Sequence, residues 1–196
     1  IARLIEKCVP VRDVFEPPLD PAPKFLVNEI ANTPSAALML LRKEVMHMGD
    51  IVCDVVRRGR ETMQNPTLEK LEKIAELDDG VDSLQDAIAR FAGKLRHSEL
   101  LPSDQNRLLN KLAISNHLEA IGDIISEEMT ELVGRLLAER NLPLLDSREK
   151  MSELFTFSEE CLKQALTAFA SDDVEAANRV LARKGEFIEK MDVTLR

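Results

Sequence analysis

The sequence has no tryptophan and no tyrosine, and aromatics are only 4% of its 196 residues. A large β-sandwich draws on more aromatic mass than this, so composition leans towards helix. Cysteine is equally scarce: Cys8, Cys53 and Cys161 form no C-x-x-C pair and suggest no disulfide framework. A reducing compartment is the natural setting, with the thiols as small apolar fillers. Long apolar runs are missing too. The longest, "AALMLL" at 36–41, falls far short of the ~20 residues that span a bilayer, and no signal peptide is visible. The chain starts at Ile1, which suits a piece of a longer protein. Positive charge is in deficit, with a formal net charge of -9. Such a surface repels phosphate backbones and anionic lipid, so no nucleic-acid partner is expected. Nor is there a glycine-rich phosphate loop, a nucleophile elbow or a Ser-His-Asp spacing, so the chain is not expected to be an enzyme.

What is present is helical periodicity. Residues 1–33 stand apart, with Pro10, Pro17, Pro18, Pro21 and Pro23 making a proline-rich linker after an amphipathic start, "IARLIEKCV". Thr33 and Pro34 then suit an N-cap and a first helical position. Leu38, Leu41, Val45, Met48, Val52 and Val55 mark the seam of a first helix. Asn65-Pro66 predicts a restart, and Leu77, Val81, Leu84, Ile88, Phe91 and Leu95 mark the second helix. Ser103 is the expected cap of a third, running to about Arg140 with its seam on Leu118, Ile121, Ile125, Met129, Leu132 and Leu136. Asp146 and Glu149 suggest a capping box for the fourth, which carries Leu154, Phe157, Cys161, Ala165 and Ala168. After "SDD" at 171–173, a fifth carries Val174, Ala177, Leu181, Ile188, Met191 and Leu195. No stretch alternates with period two, so the fold is all-α, with short links favouring antiparallel neighbours.

A faint repeat, "VDSLQ" at 81–85 against "IEKMD" at 188–192, suggests two related units. Residues 34–140 form a three-helix unit, and 146–196 supply the first two helices of a second whose sixth helix is absent. The apolar stripe left on helices four and five, with Lys184 interrupting its seam, then needs a cover. A second copy, the N-terminal segment or the far half of helix three can supply it, and self-association through helices four and five is expected.

Two acidic pairs carry the chemical interest. Asp78 and Asp82 flank Gly80 on helix two; Glu119 and Asp123 flank Gly122 on helix three. Carboxylates at i and i+4 repel, and a mid-helix glycine costs ~1 kcal/mol relative to alanine. Both pairs lie beside their seams, so they suit a surface ribbon rather than a core di-iron site. Mg²⁺, Mn²⁺ or iron takes carboxylate oxygens, and such an ion would remove the repulsion while glycine leaves room for ligands and water. The plainer alternative is a solvated acidic face. "HMGDIVCD" on helix one offers His47, Asp50 and Asp54, and Glu44 with His47 makes a single E-x-x-H, whereas a carboxylate-bridged di-iron bundle needs two. His47, His97 and His117 are expected to be ordinary surface or boundary residues.

These segments resemble a known family. "HLEAIGDII" at 117–125 resembles the "D-L-E-R-I-G-D-H-A" helix of PhoU-type domains, and "ELDDGVDSLQDAI" resembles its partner helix. "TPSAALMLLRKEVMHMGDIV" is closer to one branch, the PhoU-like domain at the cytoplasmic C-terminus of bacterial type-II Na⁺/phosphate cotransporters. The resemblance implies two three-helix units and a surface motif that holds a divalent metal or an iron cluster, with Asp78, Asp82, Glu119 and Asp123 at the matching positions. It also implies a regulatory domain at the cytoplasmic face of the inner membrane, with the membrane domain of the same polypeptide as partner. His117, Ile124 and Gly185 depart from the pattern. A stand-alone phosphate-uptake regulator and a metal-free helical scaffold or dimerisation module are the alternative functions.

Overall fold

Thr33 brings extended backbone into Pro34, and from there the computed structural model is helical almost throughout. It describes residues 20–26, 33–98, 100–139 and 145–194, and no strand occurs among them. Helix α1 spans Pro34–Gln64 and α2 Leu68–Arg96. Helix α3, Pro102–Asp123, runs through a π-helical turn, Ile124–Met129, into α4, Thr130–Ala138. Helix α5 spans Leu145–Ser171, α6 Val174–Ala182 and α7 Lys184–Thr194. The all-α antiparallel bundle expected from periodicity is the fold found.

Some helix starts differ from expectation. The cap of α2 is Thr67, whose hydroxyl accepts from the Lys70 amide at 3.3 Å, rather than Asn65. Lys70 also closes the preceding turn, donating to the Glu61 and Asn65 carbonyls at the end of α1. Helix α3 starts one residue before Ser103, because Pro102 already has the backbone of a first helical position. The side chain of Asp146 and residues 1–19, which include Cys8, lie outside the described residues, as does Leu195.

Helix α1 is the axis of the molecule. It packs against α2, α3 and α5, and its buried side chains form more than the single seam expected. Leu41, Val45, Met48, Ile51, Val52 and Val55 are all fully buried. Burial at this level stabilises by roughly 1.5–3 kcal/mol per large side chain. Where α5 approaches, Gly49 makes room for Leu166: a Cβ there would fall 2.5 Å from Leu166 Cδ2, and the leucine side chain would have to shift. Arg42 fixes the far end, donating to the Phe169 carbonyl at 2.6 Å and to Asp172 at 2.8 Å where α5 terminates.

Two departures have physical causes. The π turn adds a residue, which rotates everything downstream, so Val133 is buried while Leu132 is 48% exposed. The fifth predicted helix is broken at Arg183, whose guanidinium stacks on Phe157 at 4.3 Å and reaches Glu160 and Glu186. On α5, Ala165 is exposed and Leu166 takes its place against α1. Helix α6 has no buried residue, and Val174, Leu181 and Ile188 stay open.

Candidate metal site

Helices α2 and α3 pack side by side, and this brings three of the four predicted carboxylates together. One oxygen each from Asp82, Glu119 and Asp123 lies within 4.8 Å of the others. Asp82 is exposed; Glu119 and Asp123 are half-buried. The ribbon is therefore real for these three and open to solvent on one side.

Asp78 does not join them. It turns inward and is 8% exposed. One oxygen accepts from the Ser126 hydroxyl, and the other, Oδ1, is buried without a hydrogen-bond partner. That oxygen lies against Gly122, where a Cβ would sit 2.4 Å away. The glycine of "EAIGD" therefore serves a close approach by Asp78, not room for water. Gly80 has a similar reason: a Cβ there would fall 2.3 Å from Pro21 Cβ, so proline packs on it. Both glycines follow from close approaches that only the folded chain reveals.

The π turn starts immediately after Asp123 and carries Ser126 under Asp78. The Thr130 hydroxyl donates to the Ser126 carbonyl, satisfying backbone that the wider turn leaves displaced. Nothing in the spacing of the sequence marks this turn.

The electrostatics reflect crowding. Burial raises the Asp78 carboxyl, the Ser126 hydrogen bond opposes that, and Asp82, Asp123 and Glu127 push it up further. Burial raises Asp82 first, followed by the charge of Asp123. Glu119 is raised by burial and then by Asp123 and Asp82. Asp78, Asp82 and Glu119 are thus harder to ionise chiefly because they are partly desolvated, and further because of the neighbouring carboxylates. The donor set is all oxygen, with neither thiolate nor imidazole, so it fits a hard divalent cation such as Mg²⁺ or Mn²⁺, or iron. Asp82, Glu119 and Asp123 would hold the ion, and its charge would cancel their repulsion. Among the described residues no second such group occurs, and Gly185 on α7 stands in open space.

The residues of the single E-x-x-H do something else. His47 is buried, contrary to expectation, and Glu44 is fully buried. Glu44 accepts the backbone N–H groups of Lys24 and Phe25. Asp54 pairs with Arg57 and Arg58. Burial pushes the Cys53 thiol up to about 12, which suits an inert filler and not a nucleophile. No described helix is long and apolar enough to cross a membrane.

The PhoU domain model matches residues 45–140, the stretch that carries all four acidic residues. The chain is 27% identical over 179 residues, 90% of its length, to the candidate inorganic phosphate export protein YjbB of Escherichia coli K12. The same identity and coverage hold for YjbB of Shigella flexneri and of Salmonella typhimurium LT2. The chain spans 32% of the length of these relatives. No solved structure matches it. Residues 45–140 of this helical chain thus resemble a PhoU domain, and most of the chain is similar to about a third of longer proteins named for inorganic phosphate export.

Proposed function

We propose that the chain is a regulatory PhoU-like domain of a sodium-dependent phosphate transporter. It acts on the cytoplasmic face of the inner membrane by docking to the membrane domain of its own polypeptide, and it is not catalytic. Residues 1–33 are the tether, 34–140 the first unit and 146–196 the beginning of a second. The observation that carries this reading is the coincidence of the PhoU match with the helices that bring Asp82, Glu119 and Asp123 together. The alignment with about a third of longer phosphate-export relatives supports the placement within a larger transporter.

A cation bound by these three carboxylates supplies positive charge that draws α2 and α3 together, and so tunes the face presented for docking. Asp78, held by Ser126 behind them, fixes the spacing of the two helices. The exposed apolar residues of α6 and α7 support a second proposal, self-association through the last helices. Light scattering should report a dimer at high concentration; a persistent monomer would refute that part.

The test is phosphate flux in cells carrying the full-length protein, with and without residues 34–196. Regulation predicts that flux persists in the truncated protein but no longer responds to phosphate supply. Identical flux with an identical response would overturn the proposal. The full gene separates it from a stand-alone phosphate-uptake regulator, because only the transporter reading puts membrane spans on the same polypeptide.

A further inference from the structure

Residues 20–26 have no regular secondary structure, yet α1 holds them. The fully buried Glu44 takes the Lys24 amide on both carboxylate oxygens at 3.1 Å and the Phe25 amide at 2.6 Å. Lys24 and Phe25 thereby wall an open cavity of about 700 Å³ that runs along α1 towards Ala170 at the end of α5. From α1 it is lined by Arg42, Lys43, His47 and Asp50, which three- and four-residue spacing places on one face.

Charge is sorted along this face. Arg42 and Lys43 stand at one end, with Lys24 seated beside them on Glu44. Asp50 lies seven residues beyond Lys43, about 10 Å along a helix. Arg42 is already committed, donating to the Phe169 carbonyl and pairing with Asp172. Lys24 and Lys43 have no carboxylate partner among the described residues, and the Lys43 ammonium rests 5.8 Å from the Phe25 ring centroid. Acidic residues outnumber basic ones in this chain, so two unpaired lysines on one cavity leave a place for negative charge from outside. His47 lines the same cavity and is 6% exposed; its Nε2 is buried with no hydrogen-bond partner among the described residues.

We propose that this cavity binds a phosphate ester of nucleotide size. The phosphate lies between Lys24 and Lys43, whose ammonium groups supply point charges for a dianion. An oxygen of the ligand gives His47 Nε2 the partner it lacks. Phe25, Met39 and Met46 cover the apolar body, and Asp50 accepts from a hydroxyl or amino group at the far end. The volume falls in the range of small-molecule sites and exceeds what a bare phosphate ion fills. A ligand there touches α1 and the Lys24–Phe25 wall together, so binding steadies the segment that precedes α1. The cavity shares no residue with the acidic face of α2 and α3, and the proposal does not depend on the cation reading.

The test is calorimetric titration of the whole chain with ADP, with inorganic phosphate and with phosphatidylglycerol vesicles. ADP should bind at one saturable site, at least about tenfold tighter than inorganic phosphate. Lys24→Ala and Lys43→Ala should each weaken ADP binding by about tenfold, since each removes a charged hydrogen bond. Both residues are exposed, so both variants should keep the wild-type circular dichroism and melting temperature. Lys73→Ala, which removes a lysine of α2 that pairs with Glu69, should leave ADP affinity unchanged. No saturable ADP binding, inorganic phosphate as tight as ADP, or ADP binding that survives both cavity substitutions would overturn the proposal. Binding to the vesicles alone would assign the lysines to a lipid surface and overturn it as well.

Discussion

Asp78 and Gly122 show what a single residue can decide. The carboxylate turns inward because Ser126 offers a hydroxyl and Gly122 offers space. Gly122→Ala gains ~1 kcal/mol of helix propensity but drives a Cβ into Asp78 Oδ1, so a net loss of about 1–3 kcal/mol is expected. In an Asp78→Ala background the same substitution should be neutral or stabilising. Chemical denaturation of the four proteins measures the cycle, and equal costs in both backgrounds would contradict this contact. The crowded carboxylates also predict a pH dependence. Asp82 and Glu119 have raised folded-state pKa values, so the folded protein holds their protons more tightly than the unfolded chain. Their contribution is favourable below the ordinary carboxylate range and is lost as pH rises through the folded values. Asp82→Asn and Glu119→Gln should therefore raise the melting temperature at pH 7, with a gain that shrinks towards about pH 4. A gain independent of pH would mean that repulsion is not the cause.

At the scale of elements, burial divides the helices sharply. Leu41 on α1 is fully buried in the shared core, whereas Leu181 on α6 is 72% exposed. Leu41→Ala should cost about 2–5 kcal/mol, and Leu181→Ser should stay within about 0.5 kcal/mol in the monomer. Thermal unfolding of both variants at low protein concentration makes the comparison. The periodicity of hydrophobic residues predicted the seams of α1 and α2 well, because each residue there keeps the phase of an ideal helix. It held through Ile125 and Met129 and failed after them, where the π turn had shifted the phase and put Val133 where Leu132 was expected. It also joined α6 to α7, since the break at Arg183 depends on cation–π and ion-pair contacts with α5 that lie about twenty or more residues away in sequence.

At the scale of the whole molecule, the fold class was legible from the spacing of apolar residues and the lack of alternation. The site was legible in part. Two acidic pairs on neighbouring helices suggested a shared ribbon, and three of the four residues meet there. The inward turn of Asp78 was not legible, since it depends on Ser126, brought under it by a turn without a sequence signature. The reason for Gly80 was misread, and the role of Glu44 was hidden, for the same cause: their partners, Pro21 and the Lys24–Phe25 backbone, lie in a segment whose prolines signal only a linker. The central claim is that this PhoU-like bundle holds a cation between α2 and α3. Elemental analysis after exchange with Mn²⁺ or Fe²⁺ tests it most directly, comparing the wild-type chain with the Glu119→Ala, Asp123→Ala double variant, both purified without chelator. The account predicts metal retained by the wild type and lost by the variant. Equal metal in the two, or none in either, would contradict it.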